Sequence, residues 1–234
     1  VNRFIFDVDG TLTPSRGIID SKFKEFFNDF CRSNPVYLVT GSDKPKTVEQ
    51  IGEDTYNLAH TVYNCSGSDV WQGNKNIRKN KWRLDSITRA FLLSQLEESS
   101  FPLRTGLHIE ERTGMVNFSV VGRNATLGER KLYVKHDKER NERNTIAEIF
   151  NWEFPELVAR PGGETGIDIS PRGNDKSQIL IDFNHEEKIY FFGDRMDKAG
   201  NDYPLKKALW DDYYNNECIE VTGWQDTWEK LKCI

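Results

Sequence analysis

Apolar positions along this chain follow two rhythms. Residues 3–8, Arg3-Phe4-Ile5-Phe6-Asp7-Val8, form a short apolar run that stops at Gly10, the pattern of a central strand entering a turn. Phe23, Phe26, Phe27 and Phe30 then recur at helical spacing over 21–32, and Pro35 closes that helix. Residues 36–40 supply the next buried strand, a helix opening near Pro45 carries Val48 and Ile51, and a third strand lies near 60–64. Strands and helices alternating at this density predict a parallel sheet with helices on both faces.

After about residue 80 the rhythm changes. A helix is expected over 83–98, carrying Leu84, Ile87, Ala90, Phe91 and Leu96. Segments 107–111 and 115–120 flank Arg112-Thr113-Gly114 like the arms of a hairpin, and a long charged helix is expected over 127–150. Two strands, 156–160 and 164–170, are separated by Pro161-Gly162-Gly163. This is an α+β unit with an antiparallel sheet. A helix over 175–183 and a buried strand at 188–192, ending in Gly193-Asp194, restore the first rhythm. The pattern therefore predicts an α/β core of residues 1–79 and 173–234, interrupted by an inserted domain of residues 80–172.

Charge sharpens that partition. The inserted segment holds 14 basic and 14 acidic residues, the remainder 18 and 23, so the net charge of −5 belongs entirely to the core. An acidic core excludes a general nucleic-acid surface. Any anion it binds must be held locally, by a cation, a lysine or backbone N–H groups. No apolar run approaches the 18 residues that would suggest a membrane span. Four cysteines without a CxxC spacing, behind a strand-like opening with no secretory pattern, lead us to expect reduced thiols in the cytoplasm.

The candidate chemistry sits where strands end. Asp7 and Asp9 lie two apart at the end of the first strand, a spacing that points both side chains one way while Gly10 turns the chain. Asp194 ends a later strand in the same manner, with Asn201 and Asp202 in the loop beyond. Such a cluster of hard oxygen ligands suits Mg²⁺, whereas the four histidines are too dispersed for zinc. Thr40, before Gly41-Ser42, offers a hydroxyl and backbone N–H groups for a phosphate, or an N-cap for the following helix.

Asp7-Val8-Asp9-Gly10-Thr11-Leu12-Thr13 resembles the nucleophile motif of the haloacid-dehalogenase-like phosphotransferases, whose second motif resembles Thr40 or Ser42, third Lys176, and fourth Gly193-Asp194 with Asn201-Asp202. Within that superfamily the chain is similar to the eukaryotic-type phosphomannomutases through Arg112 and Gly114-Met115-Val116-Asn117, Gly122-Arg123, Glu129-Arg130, Gly163 to Pro171, and Tyr190-Phe191-Phe192-Gly193-Asp194. The resemblance implies a Rossmannoid core with an inserted cap, and an aspartyl-phosphate enzyme interconverting mannose 6-phosphate and mannose 1-phosphate. Asp7 would be the nucleophile and Asp9 the general acid and base. Lys176 would hold the Asp7 carboxylate and the phosphoryl group. Mg²⁺ would bind Asp7, the Asp9 carbonyl and Asp194, with Asp202 and Asn201 in support.

In the cap, Arg112, Arg123 and Arg130 would take the phosphate that is not reacting, with Asn117, Thr165 and Asp168 among the substrate ligands. The resemblance further implies a hexose 1,6-bisphosphate activator, a small phosphorylated sugar as substrate, and a homodimer through the cap, for which Trp82, Phe91 and Leu93 could supply an apolar face. The chain departs from the family pattern at Thr40, at Cys65-Ser66, at Lys198-Ala199, and at Gly166 where a serine is usual. Two alternatives stay open on these residues: a phosphatase using the same chemistry on a phosphorylated sugar or other small metabolite, and a non-catalytic phospho-ligand binder.

Overall fold

The structure is a computed structural model that describes residues 2–212 and 215–234. The chain divides into two compact units, Val1–Asn80 with Gly173–Ile234, and Lys81–Arg172.

Seven strands of the first unit form one sheet. Numbered along the chain, with β6–β9 belonging to the second unit, they are β1 (Asn2–Asp7), β2 (Val36–Val39), β3 (Thr61–Asn64), β4 (Asp69–Gln72), β5 (Lys75–Lys79), β10 (Lys188–Gly193) and β11 (Asn216–Glu220). Their order is β11-β10-β1-β2-β3-β4-β5. The first five in that order are parallel and the last two antiparallel. Burial on both faces explains the unbroken apolar run of β1. Phe4 and Phe6 face α1 (Ser21–Ser33), where Phe6 meets the ring of Phe27 edge-on at 5.1 Å. Ile5 faces the opposite layer with Ile179, Phe183, Leu205 and Leu209. Asp20 starts α1 by accepting from the N–H groups of Lys22 and Phe23.

Strand register aligns the ends that carry polar residues. Asp7 lies opposite Val39 of β2, and Phe6 opposite Phe192 of β10. Asp7, Thr40 and Gly193-Asp194 therefore leave the sheet at one edge, the usual place for ligands in open α/β folds.

The hairpin β4–β5 extends the sheet antiparallel beyond β3, which the apolar pattern alone did not disclose. β5, Lys75-Asn76-Ile77-Arg78-Lys79, is exposed throughout and ends the sheet with basic side chains that disfavour edge-to-edge pairing. Arg78 donates two hydrogen bonds, of 2.8 and 2.7 Å, to Asp182. The helix expected over 175–183 is a 3-10 segment, Lys176–Asp182. It opens on the Asp175 carboxylate, which accepts from Ser177 N–H, and its termini close with i→i+3 bonds such as Gln178 N–H to the Asp175 carbonyl.

The second unit is a four-stranded antiparallel sheet in the order β6-β7-β9-β8, made of β6 (Ile109–Arg112), β7 (Met115–Phe118), β8 (Leu157–Gly162) and β9 (Gly166–Pro171). Three helices accompany it: α4 (Ser86–Glu98), α5 (Leu127–Arg140) and α6 (Glu142–Glu153). Val116, Phe118, Ile167 and Ile169 form its core with Leu92, Tyr133 and Phe150. Trp82 and Phe91 pack against this core and only Leu93 of the expected apolar face is exposed.

Three boundaries differ from the sequence reading. α4 begins at Ser86 because Asp85 caps it through the N–H groups of Ile87 and Thr88. Pro161 and Gly162 lie inside β8, opposite Ile167 and Gly166, because β8 is an edge strand where a missing N–H is tolerated. The long charged helix is two helices, broken at Asn141 in the left-handed region (φ 54°). Asn tolerates that conformation better than most residues, and its carboxamide oxygen accepts from Asn144. Asn141→Ala should therefore destabilise the protein by roughly 1–2 kcal/mol, and Asn141→Gly by clearly less, measured as the shift in urea midpoint at unchanged slope.

Candidate active site

Asp7 ends β1 as a carboxylate only 2% exposed. Lys176, 1% exposed, donates to Asp7 Oδ1 at 2.5 Å and to Asp202 Oδ1 at 2.7 Å. The other Asp7 oxygen accepts from Thr11 Oγ1 at 3.2 Å. Asp202 is fixed further by the N–H of Arg195, 3.1 Å from Oδ2. Carboxylate oxygens of Asp7, Asp194 and Asp202 all lie within 4.8 Å of one another. Two glycines make that approach feasible. A Cβ on Gly10 (φ 85°) would overlap the Asp194 carboxylate, and one on Gly193 would overlap Asp202.

Electrostatics explain what this cluster can hold. Burial pushes the Asp7 carboxyl up to about 7, partly offset by Lys176 and reinforced by the negative charge of Asp202. Asp194 is raised for the same reasons, burial first and then Asp202. The Lys176 ammonium is raised despite its burial, because two carboxylates face it. Three acids around one ammonium leave an excess of negative charge on hard oxygen donors, a set that fits a divalent cation.

Asp9 takes a different position. It lies beyond the end of β1 at Asp7, and Val8 between the two acids is fully buried in the same cluster as Phe4 and Phe6. The Asp9 carboxylate stands outside the Asp7–Asp194–Asp202 group and accepts through Oδ1 from Gln50 Nε2 at 3.0 Å and from the N–H of Arg16. Asn201 is exposed in the turn before α7 (Tyr203–Asp212). Thr40 is buried, and its Oγ1 accepts from the N–H of Ser42 at 3.1 Å. The N-cap of α2 (Lys44–Ile51) is Asp43, not Thr40.

In the second unit, Arg112 and Arg123 converge on one acid. Arg112 NH2 lies 2.8 Å and Arg123 Nε 2.6 Å from Glu110 Oε2. Arg130 pairs with a different acid, 3.6 Å from Glu164. Asn117 and Asp168 face each other across β7 and β9, with Asn117 Nδ2 donating to Asp168 Oδ1 at 2.7 Å. A Cβ at Gly166 would overlap the Asn117 amide, so that amide occupies the space a serine side chain would need. Thr165 is buried, and its carbonyl accepts from Ser119 Oγ. Arg104 is structural: its guanidinium donates to the carbonyls of Leu96, Ser99, Phe101 and Leu103.

Sequence reasoning missed Gln50, Arg16, Glu110 and Glu164. Gln50 carried a faint signal, a polar residue on the buried face of α2 beside Thr47 and Ile51. The two glutamates carried none, since a counter-ion is visible only once strands are paired.

Lys176→Met leaves two buried carboxylates unpaired and should destabilise the protein by about 3–5 kcal/mol in denaturant titrations at pH 8. Glu110 is held below the usual glutamate range because Arg112 and Arg123 outweigh its partial burial. A lowered carboxyl stabilises the fold above its ordinary pKa, and that contribution fades as pH falls through the lowered value. In a carboxyl NMR titration Glu110 should titrate below the ordinary glutamate range, and in Arg123→Ala its midpoint should move up toward the ordinary value.

Residues 23–234 match the family model for eukaryotic phosphomannomutase. The chain is 33% identical over 213 residues to a phosphomannomutase of Dendrobium officinale, covering 87% of this chain and 84% of that one. It is 30% identical over 242 residues to one of Encephalitozoon cuniculi, covering 97% and 91%. Among solved structures, a haloacid dehalogenase-like hydrolase from Bacteroides thetaiotaomicron superposes with a TM-score of 0.61 at 13% identity, over 99% of this chain and 98% of that one. Trehalose-6-phosphate phosphatase of Aspergillus fumigatus gives 0.58 at 15% identity, over 99% and 91%. At such identities the structures speak for the fold alone, a haloacid-dehalogenase-like core. By the family match and the sequence relatives, the chain belongs to the eukaryotic phosphomannomutase family.

Proposed function

We propose that this chain is a Mg²⁺-dependent phosphotransferase that interconverts a hexose 1-phosphate and a hexose 6-phosphate through an aspartyl-phosphate, with mannose as the hexose. The observation that carries the reading is the Asp7 carboxylate, buried with Lys176 on one oxygen and Thr11 on the other. Such a carboxylate is held in one orientation at the sheet edge, as a nucleophile must be. The chain's family supports the same reading.

The residue roles belong to this proposal. An Asp7 oxygen attacks phosphorus while the bond from phosphorus to the sugar oxygen breaks, and Asp9 delivers a proton to that leaving oxygen. Transfer back runs in reverse: Asp9 takes a proton from the sugar hydroxyl as that oxygen attacks the aspartyl-phosphate. Lys176 stays against the carboxylate and offsets charge on the transferring group. Asp7, Asp194 and Asp202 would hold Mg²⁺ with the Asp9 carbonyl, and the ion would neutralise developing negative charge. Thr40 and Ser42 serve the reacting phosphate. Arg112, Arg123 and Arg130 serve the other phosphate, with Asn117, Thr165 and Asp168 as further polar ligands, and guanidinium forks suit that task. Hexose 1,6-bisphosphate would activate by phosphorylating Asp7. The core and cap roles of the two units, a cytoplasmic setting and a homodimer through the second unit are parts of the same proposal.

One observation favours a second reading. With Gly166 backed by the Asn117 amide, the hydroxyl expected there is absent. Weaker retention of a bisphosphate would turn the same chemistry toward phosphate release. A paired assay separates the two. The wild type should isomerise a hexose phosphate with bisphosphate present, and Asp7→Asn should abolish turnover with the fold intact. Arg123→Ala should lower mutase flux by about 30-fold or more, and phosphate release from a small ester much less. Phosphate release without isomerisation by the wild type would replace the mutase with a phosphatase.

A further inference from the structure

Gln50 is 1% exposed on the inner face of α2, where a primary amide costs stability unless its polar atoms are satisfied. Only one end is satisfied. Nε2 donates to Asp9 Oδ1 at 3.0 Å and lies 3.4 Å from Thr13 Oγ1, while Oε1 is buried without a hydrogen-bond partner. The main chain has a partner of its own, the Gln50 carbonyl accepting from Ile19 N–H at 2.8 Å. An apolar residue of the same length would fill the space with no orphaned oxygen.

What the amide does accomplish is visible at Asp9. Its two hydrogen bonds, from Gln50 and from the N–H of Arg16, both fall on Oδ1. Oδ2 receives none from the described residues. A carboxylate bound by one donor can still pivot; two donors from separate segments fix its plane and mark one oxygen as occupied. Arg16 lies in a turn with a left-handed backbone (φ 56°), whereas Gln50 projects from a helix, so the helix supplies the rigid half of this clamp.

We propose that Gln50 is a positioning residue for Asp9: it immobilises Oδ1 so that Oδ2 is the oxygen that exchanges the proton with the sugar oxygen. This rests on the reading of Asp9 as proton donor, and the experiment keeps the two apart. Breaking an alkyl phosphate needs a proton on the leaving oxygen, whereas breaking an aryl phosphate with a good leaving group hardly does. The measurement is kcat/KM for phosphate release from a hexose 6-phosphate and from p-nitrophenyl phosphate, in the wild type, Gln50→Met and Asp9→Asn.

Gln50→Met should lower the alkyl-to-aryl ratio by roughly 10-fold or more, a fraction of what a general acid contributes, with Asp9→Asn lowering it further. Equal losses on both substrates in Gln50→Met, beside an asymmetric loss in Asp9→Asn, would overturn the role of Gln50 alone. Equal losses in Asp9→Asn would overturn the reading of Asp9 and the inference with it. Gln50→Asn keeps an amide but withdraws it by one methylene; it should lower the ratio as well, and it serves as the test if the methionine variant does not fold.

Discussion

The Lys176 ammonium, enclosed between Asp7 and Asp202, is the interaction around which the first unit is arranged. A lysine with 1% exposure is tolerated only with opposite charge in direct contact. The three groups come from distant parts of the chain: the end of β1, the start of a 3-10 segment and the turn before α7. Parallel pairing of β10 with β1 brings the segments to one sheet edge, and Gly10 and Gly193 leave space for the carboxylates. Once lysine and acids are in place, three hard-oxygen side chains face one another at that edge.

How much of this could be read from the sequence varied with how local the cause was. The strands ending at Asp7 and Gly193 were legible because polar residues and glycine interrupt otherwise continuous apolar runs. The partners of Asp9 were not, because Gln50 and Arg16 reach its carboxylate from a helix and a turn beyond β1. The break at Asn141 was hidden by helix-forming neighbours on both sides; one residue's left-handed backbone decided it. Lys176 carried no periodic signal and was marked through family resemblance. Gln50 shares the face of Thr47 and Ile51, but what it bonds to is visible only once its helix is laid against the Asp9 turn.

The second unit shows the same limit with charge. Its arginines were identifiable as residues, but their arrangement depends on acids whose importance appears only in the folded sheet. Glu110 gathers Arg112 and Arg123 at a shared oxygen, while Arg130 answers to Glu164. A carboxylate between two guanidiniums keeps them together against their mutual repulsion. The coupling of Gly166 to Asn117 is a further case, in which loss of a side chain on one strand is matched by the amide on its neighbour.

The long-range pairing of β1 also governs when the protein acquires its chemistry. Asp7 and Lys176 are 169 residues apart, and the whole of Lys81–Arg172 is made between them. Chains emerge from the ribosome N-terminus first, and units with local contacts assemble sooner than those closed by distant ones. The second unit has all its strands before β10 exists, whereas β1 waits with one neighbour missing and its carboxylate without the lysine. On the growing chain the whole sequence of the second unit precedes β10, and the surroundings of the Asp7 carboxylate are not complete until Asp202 has been made.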